Sequence, residues 1–340
     1  MEHKWGIIGA GRFADNFFAS AIRQAQNARL VAVMARDKSK AEAFSKKHNA
    51  RQFFDSAEAL CKEGDVDLVY ISSPTILHRE HTVTAAKYGK HVLCEKPMAP
   101  ALEECDQMID SCKENNVTLA IAHNMRFHKV HQEVKNMVVN QKKVGTVGLV
   151  RAEMIASFKK NQGDKYTTDQ FRLNRAIGGG GVMFDMGIHT IDLLRYILDD
   201  EIEEITGFSQ NLFTDCNGED TVSAVFRFNK GAYGSIASSG ALPYSRNGVD
   251  IYGDKGAIFT DGSVWMNART GEIKLFADDK WESYTTETNN CYVAEVEHFQ
   301  QCVTEKRIPL VDGEEGRKNI KVILAFYQSM DEGRTIRIAN

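Results

Sequence analysis

Two groups of residues in this chain carry chemistry by type and spacing. The first is Gly9-Ala10-Gly11-Arg12-Phe13-Ala14, a G-x-G-x-x-A turn directly after the apolar run Trp5–Ile8 and at the start of a helical pattern. In such a turn Gly9 permits the tight bend and Gly11 lets the backbone approach a pyrophosphate. Ala14 keeps helix and strand close, and the helix N-terminus faces the anion. The second group is Lys96, inside Glu95-Lys96-Pro97, together with Asp185 and His189. An ammonium just past a buried strand can hydrogen-bond a reacting oxygen and lower the pKa of its proton. Glu95 can orient Lys96 or a cofactor ribose, and Pro97 fixes the chain direction. Four residues apart on a helix, Asp185 and His189 share one face. Imidazole is the natural proton acceptor near neutral pH, and a neighbouring carboxylate fixes its tautomer and supports the imidazolium. Removing a hydroxyl proton and stabilising the developing alkoxide are what alcohol oxidation by hydride transfer needs besides a cofactor.

Simpler roles stand beside these. Lys96 could be a solvated loop lysine. Asp185 follows a glycine run and could cap its helix, whose core stripe is Ile188, Ile191, Leu194 and Leu198. His189 lies off that stripe, which argues against a plain core histidine. Asp192 and Arg195 read as structural or substrate-rim groups, while Arg172 and Tyr244 are candidates for contacts with substrate hydroxyls. The cofactor is read at the end of the second strand, where Leu30–Met34 runs into Ala35-Arg36-Asp37. An NAD-preferring site carries an acid there for the ribose 2′-OH. Here the tip is Ala35, followed by a guanidinium suited to a phosphate. The expectation is NADP(H), with NAD possible if Asp37 reaches the acidic position. No metal site is expected: His123, His128 and His131 match no ligand spacing.

The elements that must position these residues are legible as texture. Over the first 120 residues, strand candidates Trp5–Ile8, Leu30–Met34, Leu68–Ile71, His91–Cys94 and Thr118–Ala122 alternate with helical patterns. Near-continuous apolar strands of this kind belong to a parallel sheet buried on both faces, so the expectation is an α/β Rossmann domain over 1–123. Beyond residue 145 strand-like runs follow one another: Val147–Ile155, Ile205–Phe213, Val222–Phe228, Ala232–Ala237, Val249–Tyr252 and Ala257–Thr260. Helices are expected over Met186–Leu198, Tyr292–Thr304 and Glu314–Gln328. This reads as an α+β domain over 124–340, built on a large, open, mostly antiparallel sheet.

Further stretches carry a resemblance: Ser73-Pro74-Thr75 with His78, Gly89 to Pro97, Asn124-Met125-Arg126-Phe127, Phe171-Arg172-Leu173, and Gly179 to Asp192. With Glu219-Asp220, Tyr252 to Gly256 and Glu295 to Phe299, the chain resembles the Gfo/Idh/MocA family of glucose–fructose oxidoreductase and inositol dehydrogenase relatives over essentially its whole length. Its wording is most similar to the NADP-dependent dihydrodiol and D-xylose dehydrogenase branch. The resemblance implies hydride transfer between NAD(P) and a carbon of a sugar, polyol or diol. It assigns Ser73, Pro74, His78, Glu95, Lys96, Asn124 and Arg126, with the Gly9–Ala14 turn, to the cofactor. It also implies a homodimer or homotetramer formed through the open sheet. Thr75, Phe171 and His128-Lys129 depart from the family wording.

Composition narrows the partners. The 340 residues carry 42 Lys and Arg against 46 Asp and Glu, a net charge of −4, so no global attraction for nucleic acid or an anionic membrane surface is expected. No apolar run approaches the roughly 20 residues of a membrane span. Seven scattered cysteines without a C-x-x-C pair, and an N-terminus that enters a strand at once, suggest a reducing cytoplasm. Two other functions stay open. A dinucleotide-sensing regulator has no need for the Lys96, Asp185 and His189 set, and a redox-neutral glycoside-processing enzyme would use its nicotinamide only transiently.

Overall fold

The computed structural model describes residues 2–157, 173–266 and 268–339. They form two compact units, one of residues 1–123 with 292–320 and the other of 124–291 with 321–340. A division into 1–123 and 124–340 places Tyr292–Ile320 differently. That segment packs into the first unit because its aromatic and small residues match surfaces there. Phe299 lies 5.8 Å from Trp5, Tyr292 packs edge-on to Phe13, and Arg317 Nε is 2.5 Å from Asp106 Oδ1. A Cβ on Gly316 would fall 2.6 Å from Ile121, so only glycine lets this helix approach so closely.

The first unit holds a parallel sheet of β1 (His3–Ile8), β2 (Ala28–Met34), β3 (Gln52–Phe54), β4 (Leu68–Ile71), β5 (His91–Glu95) and β6 (Leu119–Ala122). Their order is β3-β2-β1-β4-β5-β6. Strand order therefore reverses between β1 and β4, and α/β sheets bind ligands beyond the carboxyl ends of the strands at such a point. All four residues of β4 are fully buried, as a strand covered on both faces requires.

The second unit holds nine strands: β7 (Val147–Ile155), β8 (Ile202–Gln210), β9 (Thr221–Phe228), β10 (Tyr233–Ser239), β11 (Val249–Gly253), β12 (Gly256–Thr260), β13 (Glu272–Ala277), β14 (Lys280–Thr285) and β15 (Ile336–Arg337). Their order is β14-β13-β12-β11-β7-β10-β9-β8-β15, antiparallel throughout except for the parallel pair β7 and β10. Strand β9 shows why the sheet has two faces: Val222, Ala224, Phe226 and Phe228 are buried, while Val225 between them is 50% exposed. The open face carries Phe208, Val225, Tyr233 and Trp281, all at least half exposed.

All seven cysteines are buried and none is in a disulfide, and burial pushes the thiols of Cys61, Cys105 and Cys112 up to about 12. No helix among the described residues is long and apolar enough to cross a membrane.

Candidate active site

In the first unit the expected residues gather at the carboxyl edge of the parallel sheet. Gly9 adopts φ +100°, and a Cβ there would lie 2.6 Å from the Ser73 backbone nitrogen. Both its dihedral and the close approach of the β4 loop therefore demand glycine. Ser72 Oγ closes this contact by donating to the Gly9 carbonyl at 2.7 Å. A Cβ on Gly11 would meet only Gly9 O, at 3.9 Å, so the space beside Gly11 is open in the way a dinucleotide pyrophosphate requires. The helix that follows begins with a wide π turn, Ala14–Phe18.

At the tip of the second strand, β2 ends at Met34, and Asp37 is the N-cap of the next helix. Its Oδ1 accepts from Ser39 N at 2.9 Å and Ser39 Oγ at 2.6 Å, and the hydroxyl bond holds its carboxyl below the usual range. That leaves Ala35 at the tip and Arg36 exposed beside it, with no ion pair among the described residues.

Lys96 is half-buried, directly after β5. Its neighbours are fixed from three sides. Glu95 Oε1 accepts from the buried Tyr70 hydroxyl at 2.5 Å, and Glu95 Oε2 accepts from Lys96 N at 3.1 Å. The Lys96–Pro97 peptide is cis. His78 sits with Nδ1 2.9 Å from Pro97 O and Nε2 2.9 Å from Ser73 O. The ring lies between two backbone carbonyls, and since burial lowers its pKa to about 4 it donates to one of them at a time. Ser73 Oγ is 2.9 Å from His81 Nδ1, and Pro74 leads into the short helical turn before His78. Tyr70 was not singled out in the sequence, where it reads as strand core. The available signal is that a tyrosine inside a buried strand must place its hydroxyl on a partner.

In the second unit, Asp185 lies in a π turn, Met183–Gly187, and His189 in the first turn of helix Ile188–Leu198. Both are 7% exposed. Asp185 is not a helix cap: its N–H bonds Gly181 O at 3.2 Å inside the helical run, and the entry residue is Val182, without a side-chain cap. The stripe reasoning for His189 fails on different grounds. The helix is buried on all sides except at Tyr196, so lying off the apolar stripe does not set a residue apart. π turns are rare and concentrate at functional sites; among the described residues one follows the glycine turn, one leads into the helix that bears His189, and a third, Asn136–Asn140, holds no candidate residue.

Asn124 and Arg126 are both buried and bonded within the second unit. Asn124 Nδ2 donates to Met266 O at 3.1 Å. The Arg126 guanidinium makes a two-pronged ion pair with Asp192, with Nε to Oδ2 at 2.9 Å and Nη2 to Oδ1 at 2.7 Å, and lies 5.3 Å over Tyr196. The guanidinium that the resemblance assigns to the cofactor thus also clamps the helix that bears His189. Arg195 does the same toward Glu201, with Nε to Oε2 at 2.6 Å.

Of the three loop histidines, His128 accepts from Ala268 N at 3.2 Å, His131 donates to Met125 O at 2.8 Å, and His123 Nε2 is 3.2 Å from Asn319 Nδ2. Burial lowers His128 to about 3 and His131 to about 4. Tyr244 is 83% exposed at a cleft of about 250 Å³ that it lines with Ser157, Ser245, Trp265 and Arg269. Arg172 lies outside the described residues.

Comparison with known proteins places this geometry. Residues 3–123 match the oxidoreductase family with an NAD-binding Rossmann fold, and residues 131–259 match the GFO/IDH/MocA C-terminal domain. The chain is 27% identical to 1,5-anhydro-D-fructose reductase of Ensifer adhaerens, across 99% of this chain and 98% of that protein. It is also 27% identical to D-xylose 1-dehydrogenase (NADP(+)) 2 of Haloferax volcanii, across 98% and 99% of the two chains. Among solved structures, the aldose-aldose oxidoreductase of Caulobacter crescentus in complex with glycerol superposes with a TM-score of 0.90 at 26% identity, covering 99% of this chain and 100% of that one. With both halves matched, a Rossmann sheet first and a mostly antiparallel sheet after it, the chain belongs to the GFO/IDH/MocA family of oxidoreductases.

Proposed function

We propose that this protein transfers hydride between NADP(H) and a CH–OH or C=O carbon of a sugar, polyol or diol. The observation that carries the reading is the Lys96 frame. A lysine at the carboxyl edge of a dinucleotide-type sheet has its backbone held by Glu95 and Tyr70 on one side and by the His78-to-Pro97 contact on the other. A nicotinamide supplies the hydride acceptor or donor when bound. Gly9, Gly11, Arg12, Phe13 and Ala14 hold the pyrophosphate end of the cofactor, and Ser73, Pro74 and Glu95 border its nicotinamide end. His78, Asn124 and Arg126 act one step back, since their polar atoms are bonded to the protein itself. In the proposed reaction Lys96 hydrogen-bonds the reacting oxygen, His189 carries its proton, and Asp185 supports the imidazolium. Tyr244 and Arg172 contact substrate hydroxyls.

The test is a cofactor-coupled screen of pentoses, hexoses, inositols, anhydro-sugars and diols, followed at the reduced-nicotinamide absorbance. Net NADPH formation in step with product is expected. Product without net NADPH would replace the reading with redox-neutral chemistry, and cofactor binding without turnover across the panel would favour a sensor.

The preference for NADP(H) rests on Ala35 at the strand tip, the exposed Arg36, and the use of Asp37 as a cap. A hydrogen bond to a charged group contributes about 1.5–3 kcal/mol. Arg36→Ala is therefore expected to lower kcat/KM for NADP about 10- to 100-fold while leaving NAD unchanged. Equal efficiency with both cofactors in the parent protein, unmoved by the substitution, would remove the phosphate reading.

The open face of the nine-stranded sheet supports a homodimer or homotetramer. It carries a row of packed aromatics, Tyr252 to Phe259 to Trp281 to Phe276, at centroid distances of 5.5, 5.7 and 5.2 Å. Light scattering at micromolar concentration should return two or four times the single-chain mass; a monomer would overturn the assembly.

A further inference from the structure

We propose that Glu219, held by Tyr327, is the positioning residue for the helical segment that carries Asp185 and His189. This rests on the reading that those two residues handle the proton. The first N–H groups of a helix have no partner within it. Here three consecutive ones are gathered by one distant residue and its tyrosine. Met183 N donates to Glu219 Oε1 at 3.1 Å, Val182 N to the Glu219 carbonyl at 2.9 Å, and Gly181 N to Tyr327 Oη at 3.3 Å. Tyr327 closes the set by donating its own hydroxyl to Glu219 Oε1 at 2.6 Å.

The glycines make this possible. A Cβ on Gly180 would lie 2.5 Å from Tyr327 Oη, and one on Gly181 would lie 2.4 Å from the Glu219 backbone. Met183, the last of the three donors, is the first residue of the π turn that contains Asp185. Where the clamp fixes Met183, it fixes the phase at which Asp185 and His189 leave the turn.

A cap for stability alone would be met more cheaply by a local Ser, Asp or Asn. Glu219 instead comes from 36 residues away and is only 3% exposed, although desolvating a carboxylate costs several kcal/mol. Its one cationic neighbour among the described residues, Arg175 Nη2, stands 3.7 Å from Oε2 and is itself 55% exposed. Burial and Glu219 together raise Tyr327 well above the ordinary tyrosine value, so it stays a hydroxyl donor. One buried residue whose side chain, carbonyl and tyrosine partner each take one of three adjacent N–H groups is the arrangement expected of a geometric clamp.

The test compares Glu219→Ala, Glu219→Gln and Tyr327→Phe in the full chain, using the substrate of highest kcat/KM from the panel above. Gln keeps the accepting oxygen, so it should stay within about 3-fold of the parent. Ala and Tyr327→Phe should lower kcat roughly 10- to 100-fold without changing KM for the cofactor. In an Asp185→Asn background, Glu219→Ala should add less than about 3-fold, since both act on one proton transfer. A readout free of substrate is the titration of His189 in protein with carbon-13-labelled histidine. Its midpoint should fall in both Glu219→Ala and Asp185→Asn, and return in Glu219→Gln. A folded Glu219→Ala protein with parental kcat and His189 midpoint would overturn the clamp, as would full multiplication of its loss with that of Asp185→Asn. If Glu219→Ala does not fold, Tyr327→Phe carries the same comparison. Should Asp185→Asn keep parental kcat, the parent reading falls, and the clamp is judged on the His189 titration of Glu219→Ala against Glu219→Gln.

Discussion

Lys96→Ala and His189→Ala should each lower kcat by roughly 10²–10⁴-fold, the range of a positioned acid–base group. Cofactor affinity, followed by the fluorescence of bound reduced nicotinamide, should hold in both. Lys96 follows a buried strand and His189 is 7% exposed in the first turn of a buried helix, so neither change disturbs the glycine turn at Gly9–Ala14. The double variant should lose far less than the product of the two single losses, because in the proposed reaction both groups serve one proton transfer. Asp185→Asn should also cost activity by removing the charge that, in the proposed reaction, supports the imidazolium. As a plain helix cap it would be nearly silent, but Asp185 makes its backbone bond inside the helical run. Either single variant with near-parental kcat on a substrate from the screen would remove the mechanism.

The second large effect is on stability. Asp192→Ala leaves the Arg126 guanidinium buried, at 4% exposure, without the carboxylate that meets it twice. Removing one partner of such a pair costs about 3–5 kcal/mol, because the remaining charge is stranded away from water. For a unit of this size the melting temperature should fall on the order of 10 °C. Replacing both partners with apolar residues of similar volume should restore much of the loss, since the pair itself adds little beyond its own desolvation. A melting temperature within 2 °C of the parent after Asp192→Ala, roughly the effect of an ordinary surface change, would show that Arg126 finds compensation elsewhere.

The sequence was most legible where structure is set locally. Leu68–Ile71 and Val147–Ile155 were read at their observed limits, since a run of apolar β-formers bounded by turn residues leaves few alternatives. The glycine turn was legible for the same reason. The hairpin of β13 and β14 was missed. Its two-residue turn uses Asp278 and Asp279 at φ +50° and +59°, where glycine or asparagine gives the stronger signal. Strand β3 is three residues long and carries no periodicity. Among candidate site residues, Gly9 and Lys96 stand where their own neighbours in sequence place them, at the carboxyl edge of the parallel sheet. The protein partners of Arg126, His78 and Asn124 were not legible, because they lie up to 142 residues away. Pairing over such distances is a property of topology, which one-dimensional pattern does not encode.

The return of Tyr292–Ile320 into the first unit has a consequence for synthesis. The parallel sheet is complete once residue 122 has left the ribosome, yet the surfaces of Trp5, Phe13 and Ile121 that receive Phe299, Tyr292 and the Gly316 turn stay bare. They wait while the whole nine-stranded sheet except its last short strand is translated. The nucleotide-binding half is therefore not a module that can be cut out at residue 123 and joined to another partner. Recombination that exchanges the later half must bring a matching return segment with it, so the two halves are bound to be inherited together.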